Sequence, residues 1–145
     1  MTTADVLRRL RLFLLALSVM LFAGALVELW LVGHTDGWIQ RIPFVLSSAG
    51  LLLGVVVMFK ARAATVGLLR VWMVVVVLGS VFGVYQHITG NIEFAREVDP
   101  SASTGTVVRK GLQGGNPLLA PGILAISALL ALSATYRYEI TEVEP

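Results

Sequence analysis

The sequence predicts an all-α integral membrane protein: four transmembrane helices in a compact up-down-up-down bundle. Three observations carry this. Hydrophobic residues make up 57% of the chain and charged ones only 14%, and the mean hydropathy is +0.84, a balance suited to lipid rather than water. Four apolar runs, each long enough for about 30 Å of helix, are separated by short polar stretches. Glycines recur at helical spacing inside the runs, where close approach of helices replaces the hydrophobic drive that lipid removes. The 145 residues form one domain on this reading.

The first run follows a basic start, Arg8, Arg9 and Arg11, and is expected as a helix over about residues 10–33. Basic flank, apolar stretch and Ala23-Gly24-Ala25 imitate a cleavable secretory signal, but the apolar character resumes after Glu28 at Leu29, Trp30, Leu31 and Val32, so a retained signal anchor is expected. A polar turn over 34–41 leads to the second helix, about 42–59, with Pro43 in its first turn, where a missing N–H costs least. A basic turn over 61–70 precedes the third helix, about 65–87, with Arg70 snorkelling to the headgroups. Its four consecutive valines from Val74 to Val77 cannot be a lone strand, whose backbone groups would go unpaired in lipid. Residues 88–116 are expected as the one substantial outer loop. Within it 93–98 suit an extension of the third helix or a short interfacial one, while 100–106 and 111–116 are rich in Ser, Thr and Gly. The fourth helix spans about 117–136. Pro121 near its start deprives a carbonyl of its partner, which a neighbouring helix must replace. Tyr136 and Tyr138 belong to an interfacial belt, before an acidic tail over 139–145.

Basic residues orient the chain. Arg8, Arg9, Arg11, Lys60, Arg62, Arg70 and Arg137 fall at one face; Arg41, Arg96, Arg109 and Lys110 fall at the other. The excess places both termini in the cytoplasm, in the plasma (inner) membrane. Net charge of only +2 excludes a nucleic-acid footprint, and the absence of cysteine excludes disulfides, thiolate metal sites and dithiol redox chemistry. The packing residues expected are Gly50 and Gly54 in the second helix and Gly79 and Gly83 in the third, with a small-residue ridge of Gly122, Ala125, Ala128, Ala131 and Ala134 in the fourth.

The two histidines sit in similar stretches, residues 31–40 and 84–93. Each ends an apolar run with His-x-x-Gly and has Ile five residues beyond the His, then Gln or Glu. This suggests two duplicated hairpins related by an axis along the membrane normal, with both stretches as outer turns. His34 and His87, with Glu28 and Glu93, are the candidate ligand or metal site; two imidazoles with a carboxylate suit zinc or iron, and two imidazoles alone suit axial ligation of a haem. Glu28 lies about six residues, or roughly 9 Å, inside the first helix. An ionisable group there costs on the order of 2.5 kcal/mol on insertion scales. Gly24 and Ala25 share its face, so that face is expected to pack on a neighbour, with burial favouring a protonated carboxyl. Asp36 and Asn91 read as ordinary turn and loop polar groups. Serines inside the spans lack a paired base, and the glycines near 111–115 lack the Lys-Ser/Thr of a phosphate loop, so no enzyme is expected. The function expected is a small membrane-embedded binding or accessory component. The alternatives are a proton-linked transporter or channel subunit using Glu28, and a structural subunit that associates with copies of itself or with a larger membrane complex through the glycine faces.

Overall fold

A computed structural model describes residues 2–137 as five helices with no strand among them. They are α1 (Thr3–Leu31), α2 (Gly37–Phe59), α3 (Ala63–Val98), α4 (Thr104–Gln113) and α5 (Leu119–Thr135). Of these, α1, α2 and α3 are long and apolar enough to cross a membrane, and α5 is a shorter apolar helix of 17 residues. Tyr138 and the acidic tail over 139–145 lie outside the described residues.

Helix boundaries differ from the sequence expectation for local reasons. The first helix starts at Thr3 rather than near residue 10 because Thr2 and Asp5 form a capping box: Thr2 Oγ1 accepts from Asp5 N–H at 3.2 Å and Asp5 Oδ2 accepts from Thr2 N–H at 3.0 Å. It ends in a Schellman motif, with Gly33 at φ 62° donating to Trp30 O and His34 donating to Leu29 O. The second helix starts at Gly37 rather than 42, with Asp36 N–H bonded to Gln40 Oε1 at 2.9 Å. Pro43 therefore falls in its second turn, not its first, and frees the carbonyl of exposed Ile39 at the helix end. The basic turn shrinks to residues 60–62, since the Thr65 hydroxyl accepts from Arg62 N–H at 2.9 Å and opens α3 at Ala63.

The largest departure is the outer loop. Residues 88–98 continue α3 to a length of 36 residues, roughly 54 Å at 1.5 Å per residue, well beyond a hydrocarbon core of about 30 Å. Ser103 then caps α4, accepting from Thr106 N–H. Val107 and Gly111, four residues apart, are buried where α4 packs on the end of α3. Gly111 is a contact point rather than a loop residue: a Cβ there would stand 2.7 Å from Ile92 Cγ1.

Helices α1, α2, α3 and α5 pack in a ring, each on its two neighbours; α2 and α5 touch lightly across it and α1 and α3 do not. Close approach depends on the expected glycines. A Cβ on Gly50 would meet the Phe22 ring at 2.9 Å, on Gly54 Val19 at 2.7 Å, on Gly79 Leu46 Cδ1 at 2.5 Å and on Gly83 Pro121 at 2.9 Å. All four glycines are thus used inside the chain. Leu15, Phe22, Leu46, Leu69, Met73, Val76 and Leu124 fill the core, and α5 adds Ala128, Ala131 and Ala134 from its ridge of small residues. Gly122 and Ala125 are only half-buried, because the buried face follows the 3.6-residue turn rather than a strict spacing of three.

Polar contacts to α5 share one form: side chains of α1 and α3 donate to its backbone carbonyls. Ser18 Oγ donates to Ser127 O at 2.7 Å, and Ser80 Oγ donates to Pro121 O. At the far end Arg70 donates to Thr135 O, and Arg11 donates to Tyr136 O and Arg137 O at 3.3 and 3.1 Å. Two cations thus cap the orphan carbonyls at the negative end of the helix dipole. The hydroxyl of Ser47 on α2 is fully buried and has no hydrogen-bond partner among the described residues.

Candidate functional site

The end of the ring opposite Arg11 and Arg70 gathers the polar residues. His34 is held at the second residue past the α1 cap by its own N–H, which bonds Leu29 O at 3.0 Å. His87 sits on α3, and its Nδ1 lies 2.8 Å from Pro117 O. A carbonyl only accepts, so Nδ1 carries a proton and Nε2 is the ring nitrogen left free of this bond. Pro117 O is the carbonyl that Pro121, four residues on, cannot serve; it also accepts a 3.3 Å bond from Ala120 N–H. The neighbouring-helix donor expected from the sequence is His87.

The two imidazoles are half-buried and within electrostatic reach of one another. Burial holds the His34 pKa below its ordinary 6.5, and the charge of His87 lowers it further. Both features favour a neutral His34 ring able to contact a ligand. A ring N–H fixed by a backbone carbonyl is also the arrangement that orients metal-ligating histidines.

The carboxylates are placed differently. Glu28 is exposed, three residues from the end of α1 rather than six, so roughly 4.5 Å below that end. Its face packs only along the edge of Ala25, which is half-buried against the core; Gly24, one turn below, is exposed and a Cβ on it would meet nothing within 4 Å. Glu93 is exposed in the last two turns of α3, and Asp36 is exposed at the α2 cap. Among the described residues no group of three or more His, Asp or Glu is arranged to hold a metal ion. The structure places the histidines within electrostatic reach of one another and leaves Glu28 and Glu93 exposed. The two His-x-x-Gly stretches also part company: the first is a turn, whereas the second runs uninterrupted through α3.

Asn91 is the residue the sequence reading undervalued. Only 4% exposed, it donates through Nδ2 to Gly111 O at 3.2 Å and to Asn116 O at 3.0 Å, and Oδ1 accepts from Asn116 N–H at 2.9 Å. One side chain thus ties the end of α3 to both α4 and the segment leading into α5. Gly114 lies against it so closely that a Cβ would overlap Asn91. The available signal was position: Asn91 shares a helix face with Ile88 and Ala95, so an apolar stripe carries one amide that must find partners. Comparison with protein-family models, curated proteins and solved structures finds no match.

Proposed function

We propose that the chain is a small multi-pass protein of the plasma (inner) membrane that acts as a binding or accessory component at the outer face, not as an enzyme. Helices α1, α2, α3 and α5 are its four spans, running up-down-up-down with both termini cytoplasmic. At roughly 26 Å, α5 is at the lower limit for a span. The observation that carries the reading is the pair His34 and His87 at one end of the ring, with the proton of His87 committed to Pro117 O. The seven basic residues read as cytoplasmic include Arg11 and Arg70, which meet at the opposite end on the carbonyls of residues 135–137. The ligand expected at the pair is a borderline transition-metal ion such as zinc, its other positions filled by solvent or a bound group; a haem is the alternative. The outward-facing Glu28 and inward-facing glycines favour this role over proton transport through Glu28 or assembly through the glycine faces.

The test is protein purified in mild detergent, with metal content, visible spectrum and Zn(II) titration recorded. The expected result is stoichiometric binding lost in His34→Ala and His87→Ala and kept in Glu28→Gln. A colourless protein that binds neither Zn(II) nor Cu(II) sinks the ligand assignment. Because the chain has no cysteine, a membrane-impermeant maleimide applied to intact cells should label Glu93→Cys and not Arg62→Cys; the opposite pattern sinks the orientation.

A further inference from the structure

The hairpin formed by the end of α3 and α4 stands beyond the bilayer, where lipid tails cannot cover it, yet it exposes Phe94 at 66% and Val98 at 62%. Even at a tilt of about 20°, α3 extends roughly 20 Å past the hydrocarbon core. Phe94 and Val98, four residues apart, form an apolar ridge. Beside it lies a cleft of about 160 Å³, lined by Asn91, Ala95 and Lys110, the glycines at 114 and 115, and the ridge itself. That volume is well under the roughly 300 Å³ of a small-molecule pocket, so it suits a single side chain.

Charge is distributed in order across this surface. At 100° per residue, Glu93 and Glu97 follow one another on the side of the ridge away from the cleft. Lys110 stands across the cleft on α4. Among the described residues none of the three has an ion-pair partner. Acid, apolar ridge, cleft and base therefore follow one another from edge to edge. A twofold axis parallel to α3 brings one edge of such a surface opposite the other edge of its copy at the same height, which is the condition for a self-complementary contact.

We infer that a second copy of this chain docks here. Phe94 of each copy seats in the cleft of the other, with Glu93 and Glu97 facing Lys110 across the interface, twice by symmetry. The axis this requires is along the membrane normal, so both copies keep one orientation in the bilayer. The inference deepens the accessory role proposed above by naming its self-association surface; it rests on α3 crossing the bilayer and is independent of any ligand at His34 and His87.

The experiment is oxidative crosslinking of the full chain in membranes, using single cysteines in a background that has none. Phe94→Cys and Val98→Cys should crosslink to a band of twice the chain mass, whereas Leu112→Cys, on the opposite flank of α4, should not. Lys110→Glu, and separately the pair Glu93→Lys with Glu97→Lys, should weaken association about tenfold, and the three together should restore it. Restoration separates loss of the interface from loss of the fold. Absence of self-crosslinking at both ridge positions overturns the inference. So does crosslinking to a protein of another mass in its place, or a dimer indifferent to the charge reversals. Accessibility of Phe94→Cys to lipid-soluble but not water-soluble maleimide overturns it too, since lipid would then cover the ridge.

Discussion

His87 on α3 donates from Nδ1 to the carbonyl of Pro117 at 2.8 Å, supplying the bond that Pro121 withholds from its own helix. The two residues answer one another: a proline opens a gap in the ladder of α5, and an imidazole from the neighbouring helix closes it. His87→Ala should cost about 0.5–1.5 kcal/mol of stability. In a Pro121→Ala background, where residue 121 has an N–H to offer Pro117 O, the same change should cost less. Thermal melts of the four proteins in detergent, read as a double-mutant cycle, measure the difference; equal costs in both backgrounds would remove the link between His87 and Pro121.

His34 makes stability depend on pH. Its imidazole is held below the ordinary 6.5 by burial and then by the charge of His87. Between that depressed value and 6.5 the unfolded chain binds more protons than the folded one, so stability is full above pH 6.5 and falls as the pH drops through the window. His34→Gln should remove this contribution, and His87→Gln should bring the His34 titration back toward its ordinary value. Proton NMR of the His34 ring against pH tests both; a titration unmoved by His87→Gln would sever the pair.

The glycines should divide sharply. Gly79→Ala places a methyl 2.5 Å from Leu46 Cδ1 and Gly83→Ala places one 2.9 Å from the Pro121 ring, so each should destabilise the bundle by about 1–3 kcal/mol, Gly83 more because proline cannot swing aside. Gly24→Ala meets nothing within 4 Å and should be neutral or stabilise by up to about 1 kcal/mol through helix propensity. Melting temperatures rank the three, and a Gly24→Ala as damaging as Gly79→Ala would mean that the outer face of α1 is covered.

Asn91→Leu should release the α3–α4 hairpin without unfolding the long apolar helices. Three hydrogen bonds go at once, leaving Gly111 O and the backbone of Asn116 without this partner, a loss of about 2–4 kcal/mol confined to the cap. Amide exchange should quicken in 104–116 and stay slow in the core of α1 and α3. Uniformly faster exchange would show that the cap does not open by itself.

The legible part of this fold was the part that lipid dictates. Apolar runs, small-residue contacts at Gly50, Gly54, Gly79 and Gly83, and the need for a donor near Pro121 all follow from a solvent that offers neither hydrogen bonds nor a hydrophobic drive. What escaped lay outside the apolar runs. The cap at Thr2 and Asp5 hid behind arginines read as a flank, and residues 88–116 read as loop because their glycines and polar groups signal turns in isolation. Only the tertiary contact of Gly111 with Ile92, and of Asn91 with Asn116, turns those signals into helix packing. Glu28 misled for a related reason: its spacing from Gly24 and Ala25 fixed a common face correctly, but spacing alone does not say whether a face looks inward.

Among the described residues, the side-chain hydrogen bonds by which α1 and α3 hold α5 end on carbonyls, a group common to all residues. The grip on α5 is therefore indifferent to most of its side chains. A saturation substitution scan should find outward positions of α5, such as Ile126 and Leu129, permissive to almost any apolar residue. The donors Ser18, Ser80 and Arg70 should tolerate little. Information about where the last helix goes is written in its partners, so a foreign apolar segment of the same length, keeping only the buried alanines and Pro121, should be accepted in its place.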